Sequence, residues 1–136
     1  MFEIGKVYNR QDDIHKIYGG KIQSGIAPSA KTLNVFLFSS PEGELYGYQD
    51  GWTSDHTFFQ YTGEGQRGDQ EFKRGNYAIL KHKEQGRHLH LFEKSEPSYF
   101  TYLGEFKYNH NEIVMGEDID HKIRKMILFY LKKLEQ

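Results

Sequence analysis

The chain has 136 residues, enough for one compact domain and too few for two ordinary ones, so residues 1–136 are read as a single unit. It contains no cysteine, which excludes thiolate zinc sites and cysteine nucleophiles, and its formal charge of −1 excludes a global basic field that would bind nucleic acid through phosphates alone. Ten tyrosines, ten phenylalanines and 14 glycines point away from a helical bundle and toward an aromatic-rich sheet. No apolar run is long enough to span a bilayer and no signal-type segment opens the chain, which predicts a soluble protein of the cytoplasm with no membrane partner.

In chain order, residues 2–8 read as a strand and 11–17 as a short helix, with Asp12 or Asp13 near its start and Gly19-Gly20 at its end. Residues 21–26 read as a strand and 27–32, with Pro28 and Ser29, as an exposed loop. Two apolar runs at 33–38 and 45–49 flank Ser39-Ser40-Pro41-Glu42-Gly43-Glu44, the pattern of a hairpin with a long turn. Strand signals continue at 58–62, 77–82, 88–93 and 99–108, and 109–117 reads as a polar joint. In the last segment Ile119, Ile123, Met126, Ile127, Tyr130, Leu131 and Leu134 recur at three-and-four spacing, which predicts a C-terminal amphipathic helix over 118–135. The fold class expected is α+β: a curved, partly open β-barrel with a short N-terminal helix and this C-terminal helix.

The candidate site lies where Tyr48-Gln49-Asp50-Gly51-Trp52 leads through a short loop to Tyr61-Thr62-Gly63-Glu64-Gly65-Gln66-Arg67-Gly68-Asp69-Gln70. Aromatic faces stack on a planar base, a carboxylate accepts from an exocyclic amine, and glycines let backbone groups approach the base edge. The glycines form no phosphate-cradling P-loop, because no Lys-Ser or Lys-Thr follows them, and no dinucleotide fingerprint is present.

Arg10 before the short helix, Gly19-Gly20, Ser24-Gly25-Ile26, Tyr48-x-Asp50, Tyr61-Thr62-Gly63-x-Gly65, Gly75-Asn76-Tyr77-Ala78-Ile79 and Tyr102-Leu103-Gly104-Glu105-Phe106 occur in this order. The series resembles the SRA (SET and RING associated) domain, especially the SRA-like modules of bacterial modification-dependent restriction endonucleases, over roughly residues 5–108. The resemblance implies a reader of duplex DNA that flips a C5-modified cytosine (5-methylcytosine, 5-hydroxymethylcytosine or a larger derivative) out of the stack, in phage defence within a bacterial cytoplasm. It implies Tyr48 and Tyr61 as stacking rings, Asp50 as acceptor for the cytosine N4 amine, and Thr62 and Gly63 as backbone contacts at the base edge. Trp52 is the candidate wall beside the C5 substituent, and Asp55 the reserve acid. The loop after Tyr61-Thr62-Gly63 is short, so Gln66 or Arg67, or the segment with Gln23, Ser24 and Lys31, is left to contact the DNA and fill the gap behind the base. On this reading the domain is no enzyme and needs no cofactor or metal, and cleavage belongs to a nuclease domain or subunit.

Two alternatives come from other classes. Glu105-Phe106-Lys107, like Glu71-Phe72-Lys73, has the carboxylate-lysine element of a small metal-dependent nuclease, and His88 and His90 alternate on one strand face with His82 nearby, a metal pair without a third ligand at a recognisable spacing. The other is a PUA-like scaffold that binds RNA or a protein.

Overall fold

The computed structural model describes residues 1–40 and 50–135, so the predicted strand at 45–49 and Tyr48 lie outside the described residues. The chain enters through β1 (Val7–Asn9), a π-helical turn (Arg10–His15) and α1 (Lys16–Tyr18). The Asn9 side chain caps the turn by accepting from Asp12 N, while Asp13 accepts from Asn9 N. Next come β2 (Ile26–Pro28), β3 (Asn34–Ser39), β4 (Gly51–Trp52), β5 (Phe59–Thr62) and α2 (Arg74–Leu80). The long strands β6 (His88–Glu96), β7 (Tyr99–Glu117) and β8 (Ile123–Lys133) complete the chain.

The described strands form one mostly antiparallel sheet in the order β2-β3-β6-β7-β8-β5-β4, with β1 paired to β7; among them only β3 and β6 run parallel. Among the described residues the sheet is not closed, so they form an open sheet with two short α-helices rather than the expected barrel. Both faces carry apolar side chains. On β3, Val35 and Leu37 enter a cluster with Tyr61, Ile79, Phe106, Ile127 and Phe129, while Phe36 and Phe38 enter a second with Ile14, Phe92, Phe100 and Tyr102. Among the described residues no helix is long and apolar enough to cross a membrane.

Several segments differ from their predicted form: the strands expected at 2–8 and 21–26 are reduced to β1 and to β2, which runs into the expected loop at 27–32, and three later segments change more. The expected C-terminal helix is β8, paired with β7 over its length and with β5 through Phe59↔Leu131 to Thr62↔Leu128. Its middle is buried on both faces, so apolar residues stand at consecutive positions 126–129, and such a run satisfies helical spacing as readily as strand spacing. Asp118 accepts from the backbone amides of Gly68, Asp120 and Lys122, which makes 118–122 the turn of a hairpin and not a helix start. The predicted strand at 77–82 is mostly α2, whose buried Gly75, Asn76, Ala78 and Ile79 follow a helical spacing. The polar stretch 109–117 is the outer half of β7, continued past a register shift between Tyr108 and His110.

Candidate functional site

The end of β5 delivers Tyr61 and Thr62 to a glycine-rich loop that is held on three sides. Gly63 N donates to Ile127 O (2.8 Å), and Gln70 takes the place of a strand residue: its Oε1 accepts from Ile127 N (2.8 Å) while its Nε2 donates to Gly63 O (2.8 Å). From α2, Asn76, only 1 % exposed, accepts from Glu64 N (2.8 Å) and donates to Glu64 O (3.0 Å) and Glu71 O (2.9 Å). From β8, Arg124 Nη1 donates to Gly65 O (2.8 Å) and Gly68 O (3.0 Å). Gly63 is required by close approach, since a Cβ there would lie 2.9 Å from both Asn76 Oδ1 and Gln70 Oε1.

This scaffold forms one wall of a recess of about 350 Å³, lined by Asp50, Tyr61, Thr62, Gly63, Gln66, Phe38 and others. Tyr61 is 3 % exposed and its hydroxyl lies 3.0 Å from Gly25 O and 3.1 Å from Phe38 O, so the ring cannot swing. Burial, reinforced by the negative charge of Asp50, raises the Tyr61 hydroxyl well above its ordinary pKa and keeps it a neutral donor. Asp50 Oδ1 accepts from Thr62 N (2.8 Å), which fixes the carboxylate in the recess. Four of the predicted base-binding residues, Asp50, Tyr61, Thr62 and Gly63, therefore meet at one place.

Trp52 is elsewhere. The β4–β5 register sets it opposite Phe59, two residues back from Tyr61, and its indole packs edge-on to Phe59 (5.6 Å between centroids), against Phe106 (5.7 Å) and on His56 (5.4 Å). It does not line the recess. Asp55 does not line it either; its carboxyl is held below the usual range by hydrogen bonds from Thr57 and Thr53 within its own turn.

The recess opens beside a larger cleft of about 990 Å³, with which it shares Gly25, Ile26, Glu64, Gly65, Gln66 and Gln70. Exposed Gln23 and half-buried Ser24 belong to a ridge between that cleft and a third pocket of about 500 Å³. Arg10 braces the ridge. Its Nη2 donates to Lys21 O and Ser24 O, its Nε donates to His15 Nε2 (2.9 Å), and its guanidinium lies 3.6 Å from the Phe38 ring centroid. Burial lowers Arg10 only to about 10, so it stays charged at neutral pH. Burial also lowers His15, which accepts from Arg10 while its Nδ1 faces Gly19 O at 2.9 Å. Gln66 and Arg67 are exposed on the glycine loop, Arg67 bridged to Asp120 at 3.2 Å, whereas Lys31 lines neither recess nor cleft.

The residues of the nuclease alternative are engaged in local contacts: Glu105 with His88 Nδ1 (2.8 Å) and Glu71 with Lys73 (3.2 Å). His82 and His90 point inward, the former to Arg87 O and Tyr108 N, the latter to Tyr102 and Asn34. Among the described residues no three His, Asp or Glu stand where they would hold a metal ion.

Sequence reasoning assigned no role to the three residues that hold the glycine loop in place, of which Gln70 and Arg124 also line the recess. Asn76 was quoted only as part of the Gly75–Ile79 motif, just ahead of a segment read as a strand, Gln70 only as the end of the glycine-rich stretch, and Arg124 lay on the polar face of a helix that does not form.

Fold and recess define a small sheet-based recognition domain. The chain belongs to the SRA family: the family described as "ScoMcrA-like, SRA domain" matches residues 4–136. Two structures of ScoMcrA are similar to all of this chain at 26 % identity and a TM-score of 0.79: its sulfur-binding and SRA domains complexed with phosphorothioated DNA, and the Type IV phosphorothioation-dependent restriction endonuclease ScoMcrA. The chain covers 41 % and 29 % of those two chains, less than half of either. The SUVH5 SRA domain in complex with hemi-methylated CG DNA shares the fold, with 20 % identity and a TM-score of 0.70, over 99 % of this chain and 90 % of that one. No curated protein sequence matches the chain.

Proposed function

We propose that this domain reads a C5-modified cytosine in duplex DNA by drawing the base out of the helix into the recess at Asp50, Tyr61, Thr62 and Gly63, as the recognition module of a modification-dependent restriction system. The observation that carries this reading is the meeting of a pinned aromatic ring and an oriented carboxylate in a space of about 350 Å³, within a chain of the SRA family. By similarity, the complex of ScoMcrA with phosphorothioated DNA supports binding of modified DNA in general, and that of SUVH5 with hemi-methylated CG DNA is consistent with a modified base as the target. Tyr61 is already immobilised, so stacking on it costs little side-chain entropy, and each base–aromatic contact is worth about 1–3 kcal/mol against the few kcal/mol of unstacking. Tyr48 is the proposed second ring. Burial of a single methyl group contributes only about 0.8 kcal/mol, so the shape of the recess, more than hydrophobicity, decides which C5 substituent is preferred. Gln23 and Ser24 on the ridge, or Gln66 and Arg67 on the glycine loop, are proposed to enter the duplex behind the base. Cleavage is assigned to a separate nuclease domain or subunit.

The test is a titration of four otherwise identical duplexes carrying cytosine, 5-methylcytosine, 5-hydroxymethylcytosine or its glucosylated form, at one fixed salt concentration. One modified duplex is expected to bind more tightly than plain DNA, and Asp50→Asn and Tyr61→Ala are expected to erase that difference. Equal weak binding to all four by the parent protein refutes the reading.

A further inference from the structure

The cleft of about 990 Å³ beside the recess carries chemistry that the extruded base does not use. Three of its lining cations, Lys21, Arg74 and Arg87, have no ion-pair partner among the described residues, and Lys21 and Arg74 are exposed. The acids of the same lining are engaged: Glu64 accepts from Gly75 N (3.0 Å), Asp69 from Lys125 N (2.7 Å), and Glu71 is paired with Lys73. The lining holds five cationic residues, Lys21, Arg67, Lys73, Arg74 and Arg87, against three acids, so its formal charge is positive although the whole chain carries −1.

One further observation specifies the ligand. Tyr77, 44 % exposed, lines the same cleft one turn of α2 beyond Arg74. Arg74 itself holds φ at 50°, a left-handed conformation that glycine adopts more readily than arginine. Cations spaced along a groove with an aromatic face among them are the arrangement that tracks a phosphodiester strand.

We propose that this cleft seats the stretch of DNA strand adjoining the extruded nucleotide, with phosphates on Lys21, Arg74 and Arg87 and a neighbouring nucleotide against Tyr77. The proposal rests on the base-reading function and deepens it: cleft and recess share six lining residues, so a strand whose base enters the recess continues into the cleft. The two sites contribute differently. The recess sets the ratio of affinities for modified and plain DNA, and the cleft sets an affinity common to both, with its salt dependence.

The experiment measures binding of the parent chain and its variants to a modified and a plain duplex from low to moderate salt. Each of Arg74→Gln and Arg87→Gln is expected to reduce the slope of log affinity against log salt by about 1 on both duplexes, leaving their ratio intact. Tyr77→Ala is expected to weaken binding at least about fivefold, and Tyr77→Phe to restore it. Arg74→Gly separates binding from folding, because glycine suits a φ of 50°: its thermal midpoint should stay at or above the parent's while DNA affinity falls. Parent-like salt slopes in a folded Arg74→Gln/Arg87→Gln double variant overturn the cleft site, even if Asp50→Asn abolishes discrimination. Slope changes without any preference for modified DNA overturn the base-reading function and leave the cleft standing. No salt-dependent binding to either duplex by the parent overturns both.

Discussion

Asn76 shows how a buried amide can hold the wall of a surface proposed to bind DNA. Its amide satisfies three backbone groups, Glu64 N, Glu64 O and Glu71 O, at a position 1 % exposed, so the glycine loop has no other source for those hydrogen bonds when water is kept out. Asn76→Ala leaves buried donors and acceptors unpaired, and a loss of about 2–4 kcal/mol is expected from denaturant unfolding. Gly63→Ala tests the same joint from the other side, because its methyl would sit 2.9 Å from two side-chain oxygens that already hold the loop. That variant is expected to unfold at lower denaturant concentration than the parent with its m-value unchanged, since it strains the native loop without altering the surface exposed on unfolding. A midpoint equal to the parent's would mean that Asn76 and Gln70 yield freely, and the loop would then be no rigid wall for the recess.

At the scale of elements, β8 and α2 show where the sequence is ambiguous and why. On β3, Val35 and Leu37 face one cluster and Phe36 and Phe38 the other, so a central strand reads as an unbroken apolar run whose length and β-rich composition still identify it. β8 is buried in the same two-faced way, but its flanking lysines lengthen the pattern to one a helix also fits. The outer half of β7 was illegible for the opposite reason. An exposed arm needs no apolar face, and Ile113 and Met115 are more than half exposed there. The recess was more legible, because Tyr61, Thr62 and Gly63 are contiguous and Asp50 reaches them across the β4–β5 pair, whereas Trp52 faces the core for a reason that only the strand register contains. The two forms of the last element make different predictions for Ile123 and Ile127. A helix puts both on one apolar face, but in β8 Ile123 is 66 % exposed and Ile127 1 %. Ile127→Ala is therefore expected to cost about 2–5 kcal/mol and Ile123→Ala less than about 0.5 kcal/mol, and equal costs in urea unfolding would contradict the strand.

For the molecule as a whole, three inward-facing histidines tie its elements together and make its stability depend on pH. His90 links Asn34 on β3 to Tyr102 on β7, His82 joins the end of α2 to β7 through Tyr108 N, and His15 receives Arg10 beneath the ridge. Burial lowers all three from the ordinary 6.5, His90 to about 4. Between those two values the unfolded chain binds a proton at this position that the folded chain does not, so acid favours unfolding. The contribution of His90 is complete above about 6.5, falls as pH drops through that range and is lost near pH 4. Thermal midpoints of the parent are accordingly expected to decline from pH 7 to pH 4. In His90→Gln one of the three titrating groups is absent and the decline should be shallower, though the variant starts from a lower midpoint because glutamine cannot reproduce both ring hydrogen bonds. A parent midpoint that holds level or rises over this interval would show that the buried imidazoles accept protons in place, and the neutral Asn34–His90–Tyr102 link could then not be the tie between β3 and β7.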